Sequence, residues 1–407
     1  MECRIGGMLK KQKKHLSFHT PGHKRAGWDV TELSYTDNLL SPTGVIARAQ
    51  EDVAEILGAR ESFFLTDGST SGVYAMLSAL AAKGCRSVLV SPFSHRSVKN
   101  GCKLSGLAAV ELPARRAGGI PLQPTAEELE AGLEGADALC LTSPDYYGNF
   151  PPLAAAKELC RRAGKPLVID GAHGSHLHFS PEYAGNFADL WVDGVHKSLP
   201  ALTQGAIVSA KTEEWAQTLS ESVTLFRTTS PSYPVLASVE YAVKFPRNEK
   251  IERASRKLKE ELCAYPNADW SKIVLPFGQY ADAAQAYLEG RGIYPEFNDG
   301  NYLMFYLSPC TKEGDLKKLA RAVKKIPRGE PDGGEPAAGE RGEKTEWTPL
   351  SFAAGRTCAR ECGIFPPCLP LVRAGERVSK QAVERLARAK NTFGLKDGKI
   401  CVYTEEE

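Results

Sequence analysis

The sequence has almost no net charge and no long apolar run. Its 51 lysine and arginine residues nearly balance 49 aspartate and glutamate residues, which leaves a net charge of +2. A balanced chain offers no bulk electrostatic attraction for nucleic acid or for an anionic membrane surface. No apolar stretch approaches the ~20 residues that a membrane-spanning helix needs. We therefore expect neither nucleic acid nor a membrane as a partner.

The sequence also lacks an apolar signal segment at its start, because Met1 to Lys14 is mostly basic and polar. Together with the missing apolar run, this predicts a cytoplasmic protein. The cysteines total 11, an odd number, and stand in apolar surroundings such as Leu139-Cys-Leu141, which is typical of reduced core thiols. Cys358, Cys362 and Cys368 form one cluster, but their spacing fits no common zinc pattern. We therefore predict no metal site.

What is present is typical of a globular protein with several domains. The chain has 407 residues, of which 42% are hydrophobic and 25% charged, and this length predicts two or three domains. We place a major domain at 1–245 and a small α+β domain at 246–327. Residues 328–346 are rich in Gly, Pro and charge, which predicts a flexible linker. A short C-terminal α+β domain follows at 347–407.

Apolar segments of strand length alternate with helical segments through the first half of the chain. Apolar residues recur at helical spacing over 46–57, which predicts a helix ending at Gly58. The strand-like segments are short and continuous, as in strands covered on both faces of a parallel sheet; they are 87–90, 108–112, 138–142, 167–169, 190–192 and 206–208. This alternation favours an α/β fold with a doubly wound, mostly parallel sheet, in which ligands bind at the carboxyl ends of strands.

One loop has the composition of an anion site. The strand-like Phe63-Phe-Leu65 leads into three consecutive hydroxyl residues, Ser69, Thr70 and Ser71, at the start of a helix predicted over 73–82. Hydroxyls, free backbone N–H groups and the helix dipole would all point at one place. Simple capping of the helix needs only one hydroxyl, so both explanations stay open. The loop is neither a P-loop nor a G-x-G-x-x-G motif, and it specifies no nucleotide.

Polar residues follow several of the predicted strands. His95 comes after 87–90, Asp170 directly after 167–169, and Lys197 after 190–192. Each has a simpler explanation: a loop histidine, a turn cap and an exposed charge. Together they would place an aromatic cation, a carboxylate, a lysine and an anion loop on one sheet edge. That set suits a phosphorylated pyridine aldehyde, because burial lowers the pKa of a lysine and favours Schiff-base formation.

With these residues in view, the chain resembles pyridoxal-phosphate enzymes of the aspartate-aminotransferase fold, and among them the bacterial ornithine/lysine/arginine decarboxylases. The motifs that carry the resemblance are His19-Thr-Pro-Gly-His-Lys24, Thr36-Asp-Asn-Leu39, Ser41-Pro-Thr-Gly44, Asp67-Gly-Ser-Thr-Ser-Gly72, His95-Arg-Ser-Val-Lys99, Asp170-Gly-Ala-His173, His196-Lys197, Leu199-Pro-Ala-Leu-Thr-Gln204, Thr228-Thr-Ser-Pro-Ser-Tyr233, Phe365-Pro-Pro-Cys-Leu-Pro370 and Ala374-Gly-Glu376. The resemblance covers nearly the whole chain and is most specific over 17–240. It implies pyridoxal 5′-phosphate as cofactor and decarboxylation of a basic amino acid to a diamine or agmatine, in polyamine metabolism.

The resemblance also implies a role for each residue of the site. Lys197 would bind the cofactor aldehyde, Asp170 would pair with the pyridine nitrogen, and His95 would stack on the ring. His196 would lie at the substrate face. The remaining cofactor contacts implied are Ser69, Thr70 and Ser71 at the phosphate, Ala172 and His173 beside Asp170, and Ser230, which would reach the cofactor of a neighbouring subunit. A shared site of this kind implies a homodimer or a higher homo-oligomer.

The chemistry explains why these residue types are needed. Loss of CO2 from an α-amino acid leaves an electron pair at Cα, which a protonated pyridine ring can accept. A carboxylate such as Asp170 keeps that ring nitrogen protonated, because a charge-assisted hydrogen bond is roughly twice as strong as a neutral one. A proton must then return to Cα, and either His196 or the released amine of Lys197 could supply it.

Several positions depart from the family pattern. Gly194 and Val195 stand where related sequences usually carry small hydroxyl residues, which predicts one missing phosphate contact. Leu40 replaces an expected histidine, Cys368 replaces a glycine, and Asp145 stands where threonine is common. These changes are compatible with a different substrate or with a paralogue of low activity.

The substrate is less well defined than the cofactor. Glu376 is predicted to meet the distal cation of a basic substrate, although a surface glutamate is an equal alternative. His23, in a Pro-Gly turn, is predicted to line the pocket. An aminotransferase or another lyase on the same fold stays open, but no arginine is identified to clamp the α-carboxylate. A third alternative is a catalytically weak regulatory paralogue.

Overall fold

The structure is a computed structural model that describes residues 3–11, 16–24, 28–332, 337–364 and 370–404. Its helices are α1 (Arg4–Lys11), α2 (Val45–Leu57), α3 (Ser69–Ala82), α4 (Arg96–Leu104), α5 (Ala126–Glu134), α6 (Leu153–Ala163), α7 (Val195–Ser198), α8 (Glu213–Phe226), α9 (Tyr233–Val243), α10 (Glu249–Glu261), α11 (Ala281–Glu289), α12 (Glu313–Val323) and α13 (Lys380–Arg388). Its strands are β1 (Glu61–Leu65), β2 (Ser87–Val90), β3 (Ala108–Glu111), β4 (Arg116–Ala117), β5 (Ile120–Pro121), β6 (Ala138–Thr142), β7 (Leu167–Gly171), β8 (Leu190–Asp193), β9 (Ala206–Ala210), β10 (Lys272–Pro276), β11 (Phe297–Asn298), β12 (Tyr302–Tyr306), β13 (Thr345–Pro349), β14 (Cys362–Ile364), β15 (Pro370–Val372), β16 (Thr392–Phe393), β17 (Leu395–Lys396) and β18 (Lys399–Tyr403).

The chain divides into two compact units whose bounds differ from the predicted domains. The first comprises Met1–Pro113, Gln123–Ile273 and Tyr306–Arg321. The second comprises Ala114–Leu122, Val274–Phe305 and Ala322–Glu407. The predicted domain boundaries stay a prediction.

The first unit is built on a sheet. Within the described residues this sheet has seven strands, in the order β1-β9-β8-β7-β6-β2-β3. The pairs from β3 to β8 are parallel, whereas β9 runs antiparallel to both β8 and β1. The predicted doubly wound, mostly parallel sheet is therefore confirmed. All six strand segments predicted upstream of residue 210 form strands of this sheet.

Alternate residues along the central strands pack into two separate hydrophobic cores, one on each face of the sheet. Leu139, Ile169 and Trp191 pack with helices α1, α2, α5, α6 and α9. Their neighbours Cys140, Val168 and Val192 pack with α3, α4 and α8 on the opposite face. A strand buried on both faces needs apolar residues at every position, which explains the continuous apolar runs. The edge strand β3 differs, because all four of its residues are exposed.

Helix boundaries follow local chemistry. α2 ends at Gly58, which adopts the left-handed conformation at φ 65° that favours glycine and donates its N–H to the last turn. α3 begins at Ser69, four residues before the predicted start. Ser379 caps α13 by accepting a hydrogen bond from Ala382 N–H at 3.0 Å.

The second unit is made of small sheets. Within the described residues, three-stranded sheets have the orders β10-β12-β11, β13-β18-β17 and β15-β14-β16, and β4 pairs with β5. Much of its core lies around α13, with Leu386, Val402 and Cys358 among the buried residues. In the stretch predicted as a linker, Gly339 N–H donates to Gly375 O at 2.9 Å, and Arg377 N–H donates to Ala337 O at 2.8 Å. These hydrogen bonds attach residues 337–339 to the unit.

Candidate active site

The carboxyl ends of the central strands bring the predicted site residues to one edge. In register, Thr142 pairs with Asp170, and Asp170 pairs with Val192. The last residue of β1, Leu65, pairs with the first residue of the reversed strand β9, Ala206. The loops after β1, β6, β7 and β8 and the loop before β9 therefore share this edge.

Lys197 lies in α7, a single helical turn that follows β8 after one residue. Its Nζ lies 3.1 Å from His173 Nε2. Gly194, just before α7, is one of the departures from the family pattern, and close packing explains it. A Cβ at this position would lie 2.5 Å from Ala172 O and 3.2 Å from Lys197 Cδ. A hydroxyl residue at this position would collide with the backbone beside Asp170. The glycine lets the lysine segment approach β7 closely.

Asp170 and His95 are held at the same edge by local hydrogen bonds. Asp170 is 3% exposed, and its Oδ1 accepts a hydrogen bond from Ala172 N–H at 3.1 Å. His95 caps α4, where its Nδ1 accepts from Ser97 N–H at 3.2 Å. Burial lowers the pKa of His95, the charge of Asp170 raises it, and the charge of Lys197 lowers it. Asp170 and Lys197 therefore act on His95 in opposite directions.

The hydroxyl loop forms the start of α3 beside the lysine segment. Gly68 precedes the helix at φ 77°, and none of the described side chains caps the first turn. Gly68 N–H donates to Gln204 O at 2.9 Å, and Gln204 lies in the loop between α7 and β9. Ser69 and Ser71 are buried, whereas Thr70 is exposed. Ser71 Oγ donates to Gly68 O at 2.9 Å, which leaves the N–H groups of this turn for an anion.

His196 is oriented by the same loop. Its Nδ1 lies 2.9 Å from Gly205 O, and since a carbonyl only accepts, Nδ1 carries the hydrogen. In the neutral ring Nε2 is then the acceptor. Burial lowers the pKa of His196, while the Gly205 carbonyl raises it and Lys197 lowers it. The neutral form of the ring is therefore favoured, with Nε2 as its acceptor nitrogen.

His173 is enclosed by two aromatic rings that the sequence analysis did not assign to the site. Tyr146 lies 4.7 Å away between ring centroids, and Tyr306 stacks on the imidazole at 5.7 Å and 13°. Tyr306 Oη also donates to His173 O at 3.0 Å. The sequence could have indicated Tyr146, because it stands in a polar segment after β6. Nothing in the sequence indicates that Tyr306, the last residue of β12, lies at the site.

The arrangement fits the cofactor that the resemblance implies. Among the buried polar atoms in the loops at this edge, Thr66 Oγ1, Ser143 Oγ and His173 Nδ1 have no hydrogen-bond partner among the described residues. Buried polar atoms are normally paired, so unpaired ones at a strand edge point to a polar ligand. A carboxylate, a lysine, an imidazole and an uncapped helix start supply the donors and acceptors that a phosphorylated pyridine aldehyde needs.

The structure gives Asp145, another departure, a complete set of local partners. Its Oδ1 accepts from the N–H groups of Tyr147 and Asn149, each at 2.8 Å. Its Oδ2 accepts from Gln123 Nε2 at 2.8 Å and Asn149 Nδ2 at 3.0 Å. Burial raises the pKa of Asp145, and the Asn149 and Gln123 hydrogen bonds act against that rise. This carboxylate shapes the loop after β6.

Other predicted residues have partners of their own. Ser230 is exposed in the first unit, and its N–H donates to Thr228 Oγ1 at 3.1 Å. His23 is exposed, and its Nε2 lies 3.0 Å from Asp29 Oδ2. Leu40 N–H donates to Asn38 Oδ1 at 2.9 Å. Glu376 belongs to the second unit, where its Oε2 accepts from Arg373 N–H at 2.8 Å. These roles stay predictions.

The structure describes two of the three clustered cysteines. Cys358 and Cys362 are buried free thiols, and Cys368 lies outside the described residues. Among the residues that the structure describes, no group of three or more His, Cys, Asp or Glu side chains could hold a metal ion. In the same residues, no helix has both the length and the apolar character to cross a membrane.

Comparison with known proteins gives a family and a fold. The family model for the major domain of Orn/Lys/Arg decarboxylases matches residues 26–265. An uncharacterized protein of Bacillus subtilis (strain 168), YaaO, is 28% identical over 96% of this chain and 96% of its own length. The arginine decarboxylase of the same strain is 25% identical over 91% of this chain and 91% of its own length.

Solved structures agree on the fold. A lysine decarboxylase of Francisella novicida is similar at a TM-score of 0.77 with 17% identity, over 98% of this chain and 80% of that one. A serine palmitoyltransferase of Sphingomonas wittichii is similar at a TM-score of 0.59 with 16% identity, over 80% of this chain and 86% of that one. A chain solved as SPT with PLP is similar at a TM-score of 0.58 with 13% identity, over 80% and 83%. The fold is thus that of enzymes that include pyridoxal-phosphate proteins.

Proposed function

Because the chain belongs to the Orn/Lys/Arg decarboxylase family, we propose that it removes CO2 from lysine, arginine or ornithine, using pyridoxal 5′-phosphate bound to Lys197. The family model covers the segment that holds Asp170, His173 and Lys197. Two of its relatives are named as an arginine decarboxylase and a constitutive lysine decarboxylase. The observation that carries the proposal is that His95, Asp170 and Lys197 lie at the carboxyl ends of β2, β7 and β8, on the sheet edge that also holds the start of α3.

The phosphate would be held by the start of α3. Ser69 and Ser71, with the N–H groups of the first turn, would surround it, and Thr66 Oγ1 is a buried hydroxyl that needs a partner. The helix dipole favours a negative group at this end. Gly194 offers no hydroxyl here, so His196 Nε2 is the group we assign to the remaining phosphate or substrate contact.

Bound pyridoxal phosphate supplies an electron sink for the electron pair left at Cα when CO2 departs. Asp170 would keep the proton on the ring nitrogen, since its carboxylate is buried and oriented by Ala172 N–H. The imidazole of His95, fixed by its hydrogen bond with Ser97, would cover one face of the ring. His196 or Lys197 Nζ would return the proton to Cα.

We also propose a homodimer or larger homo-oligomer that works in the cytoplasm in polyamine metabolism. Ser230 is exposed, as contact with a neighbouring subunit's cofactor requires. Leu16 and Phe18 are 83% and 88% exposed, and apolar side chains this exposed favour burial in a subunit interface. The free cysteines suit a reducing compartment.

The direct test is CO2 release from labelled lysine, arginine and ornithine by protein reconstituted with pyridoxal phosphate. Alanine and leucine serve as neutral controls. We expect release from one or more of the basic amino acids and none from the controls. Formation of a keto acid without CO2 would contradict decarboxylation while leaving the cofactor, and a protein that takes up no cofactor would contradict both.

A further inference from the structure

A fully buried ionic cluster in the first unit has no part in the proposed function. Asp269, Lys272 and His176 have side chains that are 0% exposed. Lys272 Nζ lies 2.5 Å from Asp269 Oδ2, and His176 Nε2 lies 2.8 Å from Asp269 Oδ1. Ser271 donates to Asp269 Oδ1 through both its N–H and its hydroxyl. Burying charges is costly even when they are paired, so the position of this cluster is informative.

The cluster meets the candidate active site through Tyr306. Lys272 Nζ lies 5.1 Å from the centroid of the Tyr306 ring. The same ring stacks on His173, and its hydroxyl donates to His173 O at 3.0 Å. His173 Nε2 in turn lies 3.1 Å from Lys197 Nζ. One line of contacts therefore runs from Lys272 to Lys197.

Burial and the neighbouring charged groups determine the charge of His173. Burial lowers the pKa of His173 well below its ordinary value, and the charged groups facing it from α7, β10 and the start of α4, which are Lys197, Lys272 and His95, lower it further. Asp269 acts in the opposite direction. Asp269 itself is buried, which raises its pKa, but Lys272 and His176 outweigh burial and hold that pKa well below its usual range.

A neutral imidazole has one acceptor nitrogen. When Lys197 carries its proton it can only donate, so Nε2 must be the acceptor and Nδ1 the N–H of His173. Nδ1 is buried and has no partner among the described residues. The ring is fixed between Tyr146 and Tyr306 and cannot turn away without breaking the stack.

We propose that Lys272 is a positioning residue for the His173–Lys197 pair. Clamped by Asp269 and seated against the Tyr306 ring, Lys272 adds its positive charge to the burial and the Lys197 charge that keep His173 neutral. Nε2 of His173 can then accept a hydrogen bond from Lys197 Nζ. This inference rests on the proposed function, because only a cofactor lysine needs its proton controlled in this way. It adds to that function a group that touches neither the cofactor lysine nor Asp170.

The first experiment needs no variant of the cluster. Ring-¹⁵N histidine labelling of cofactor-free protein reports the charge and tautomer of His173, with the signal assigned by its loss in His173→Asn. We expect a neutral ring with hydrogen on Nδ1 at pH 6. A charged His173 at pH 6 would overturn the inference. Since no cofactor is present, this result is independent of whether the proposed function is correct.

The second experiment uses reconstituted protein and the pH at which its visible absorption changes. In Lys272→Met, Asp269 still acts on His173 while the cation is gone, so the pKa of His173 should rise. We therefore expect the absorption change on the acidic side to move to higher pH by about one unit. Lys272→Arg should restore the wild-type transition. An unchanged transition in a coloured Lys272→Met protein would contradict the inference, whereas an uncoloured wild type would contradict the proposed function.

Lys259→Met is the matched control for structural damage. Lys259 Nζ donates to Asn267 Oδ1 at 2.7 Å and also to the backbone carbonyl of Asp269, and burial lowers its pKa to about 8. It is not among the charges that act on His173. We expect Lys259→Met to lower stability without moving the pH transition. An equal movement in both variants would identify a merely structural effect and refute the assigned role.

Discussion

Two lysines of the first unit, Lys197 and Lys272, adjoin strands and differ in burial and in the group that they meet. Lys197 follows β8, is half-buried, and meets the imidazole of His173 at 3.1 Å. Lys272 begins β10, is fully buried, and meets the carboxylate of Asp269 at 2.5 Å. A carboxylate holds a lysine in its charged form, whereas a neutral imidazole can share its proton. The difference separates a lysine suited to exchanging its proton from one suited to holding its charge in a fixed place.

Lys197→Ala should cause the largest change in activity. Without the amine, pyridoxal phosphate has no lysine to bind at this edge, so the visible band should disappear and CO2 release should fall by on the order of 10⁴-fold or more. Absorbance and CO2 release measure both effects. Lys211→Ala, at a lysine on the far side of the sheet that donates to Gly58 O and Gly185 O, is the control and should stay coloured and active.

Lys272→Met should cause the largest change in stability. It leaves the Asp269 carboxylate buried without its cation, and breaking a buried ion pair costs about 3–5 kcal/mol of unfolding free energy. Lys197→Met should cost less, because Lys197 is half-buried. Urea unfolding of the cofactor-free proteins compares the two. Equal losses would remove the distinction between the lysines.

Asp170→Asn should retain the cofactor and lose most of the rate. An amide occupies the same space but cannot hold a proton on the ring nitrogen, so CO2 release should fall by about 10²–10³-fold. The visible band should persist because Lys197 is intact. A variant with normal activity would show that Asp170 does not act on the ring nitrogen.

Gly194→Ser tests whether the glycine is a lost contact or a packing requirement. The structure predicts that a Cβ would strike Ala172 O, at a cost of about 1–3 kcal/mol, and would push Lys197 away from His173. Gly194→Ala is the matched variant and should show the same loss of unfolding free energy. If the serine tightens cofactor binding relative to the alanine, a phosphate hydroxyl is indeed missing in this chain.

Asp193→Asn should change only the pH dependence of stability. Burial raises the pKa of Asp193 to about 7, although hydrogen bonds from Tyr183 and Trp191 oppose this, whereas an unfolded aspartate has a pKa near ~3.9. The native state therefore binds a proton that the unfolded state has lost, and stability falls as pH rises between these values. The variant should gain stability relative to the wild type across that window. Urea unfolding at about pH 5 and pH 7 would show no such gain if the carboxyl were ionised throughout.

The fold was accessible from sequence where burial dictates composition. Strands covered on both faces must be apolar throughout, so β6, β7 and β8 stand out, and the polar residues that follow them mark the sheet edge. Asp170 and Lys197 could be predicted for this reason. The exposed strand β3 and the single turn α7 have no such constraint, and only their positions could be predicted.

The residues around His173 could not be predicted for a physical reason. Lys272 stands before an apolar run and is indistinguishable in sequence from a solvated lysine at a strand start, although it is 0% exposed. Its partners lie at different distances along the chain: Asp269 is local, whereas Tyr306 belongs to another strand. Only the folded arrangement brings them together. Likewise, the fit of Gly194 against Ala172 O depends on two neighbouring strands.

The most direct test of the account is to find the lysine that carries the cofactor. Protein reconstituted with pyridoxal phosphate is reduced with borohydride, digested, and mapped by mass spectrometry. We expect the pyridoxyl group on Lys197 and on no other lysine at comparable occupancy. A label on Lys272 or on another lysine, or no label on a coloured protein, would contradict it.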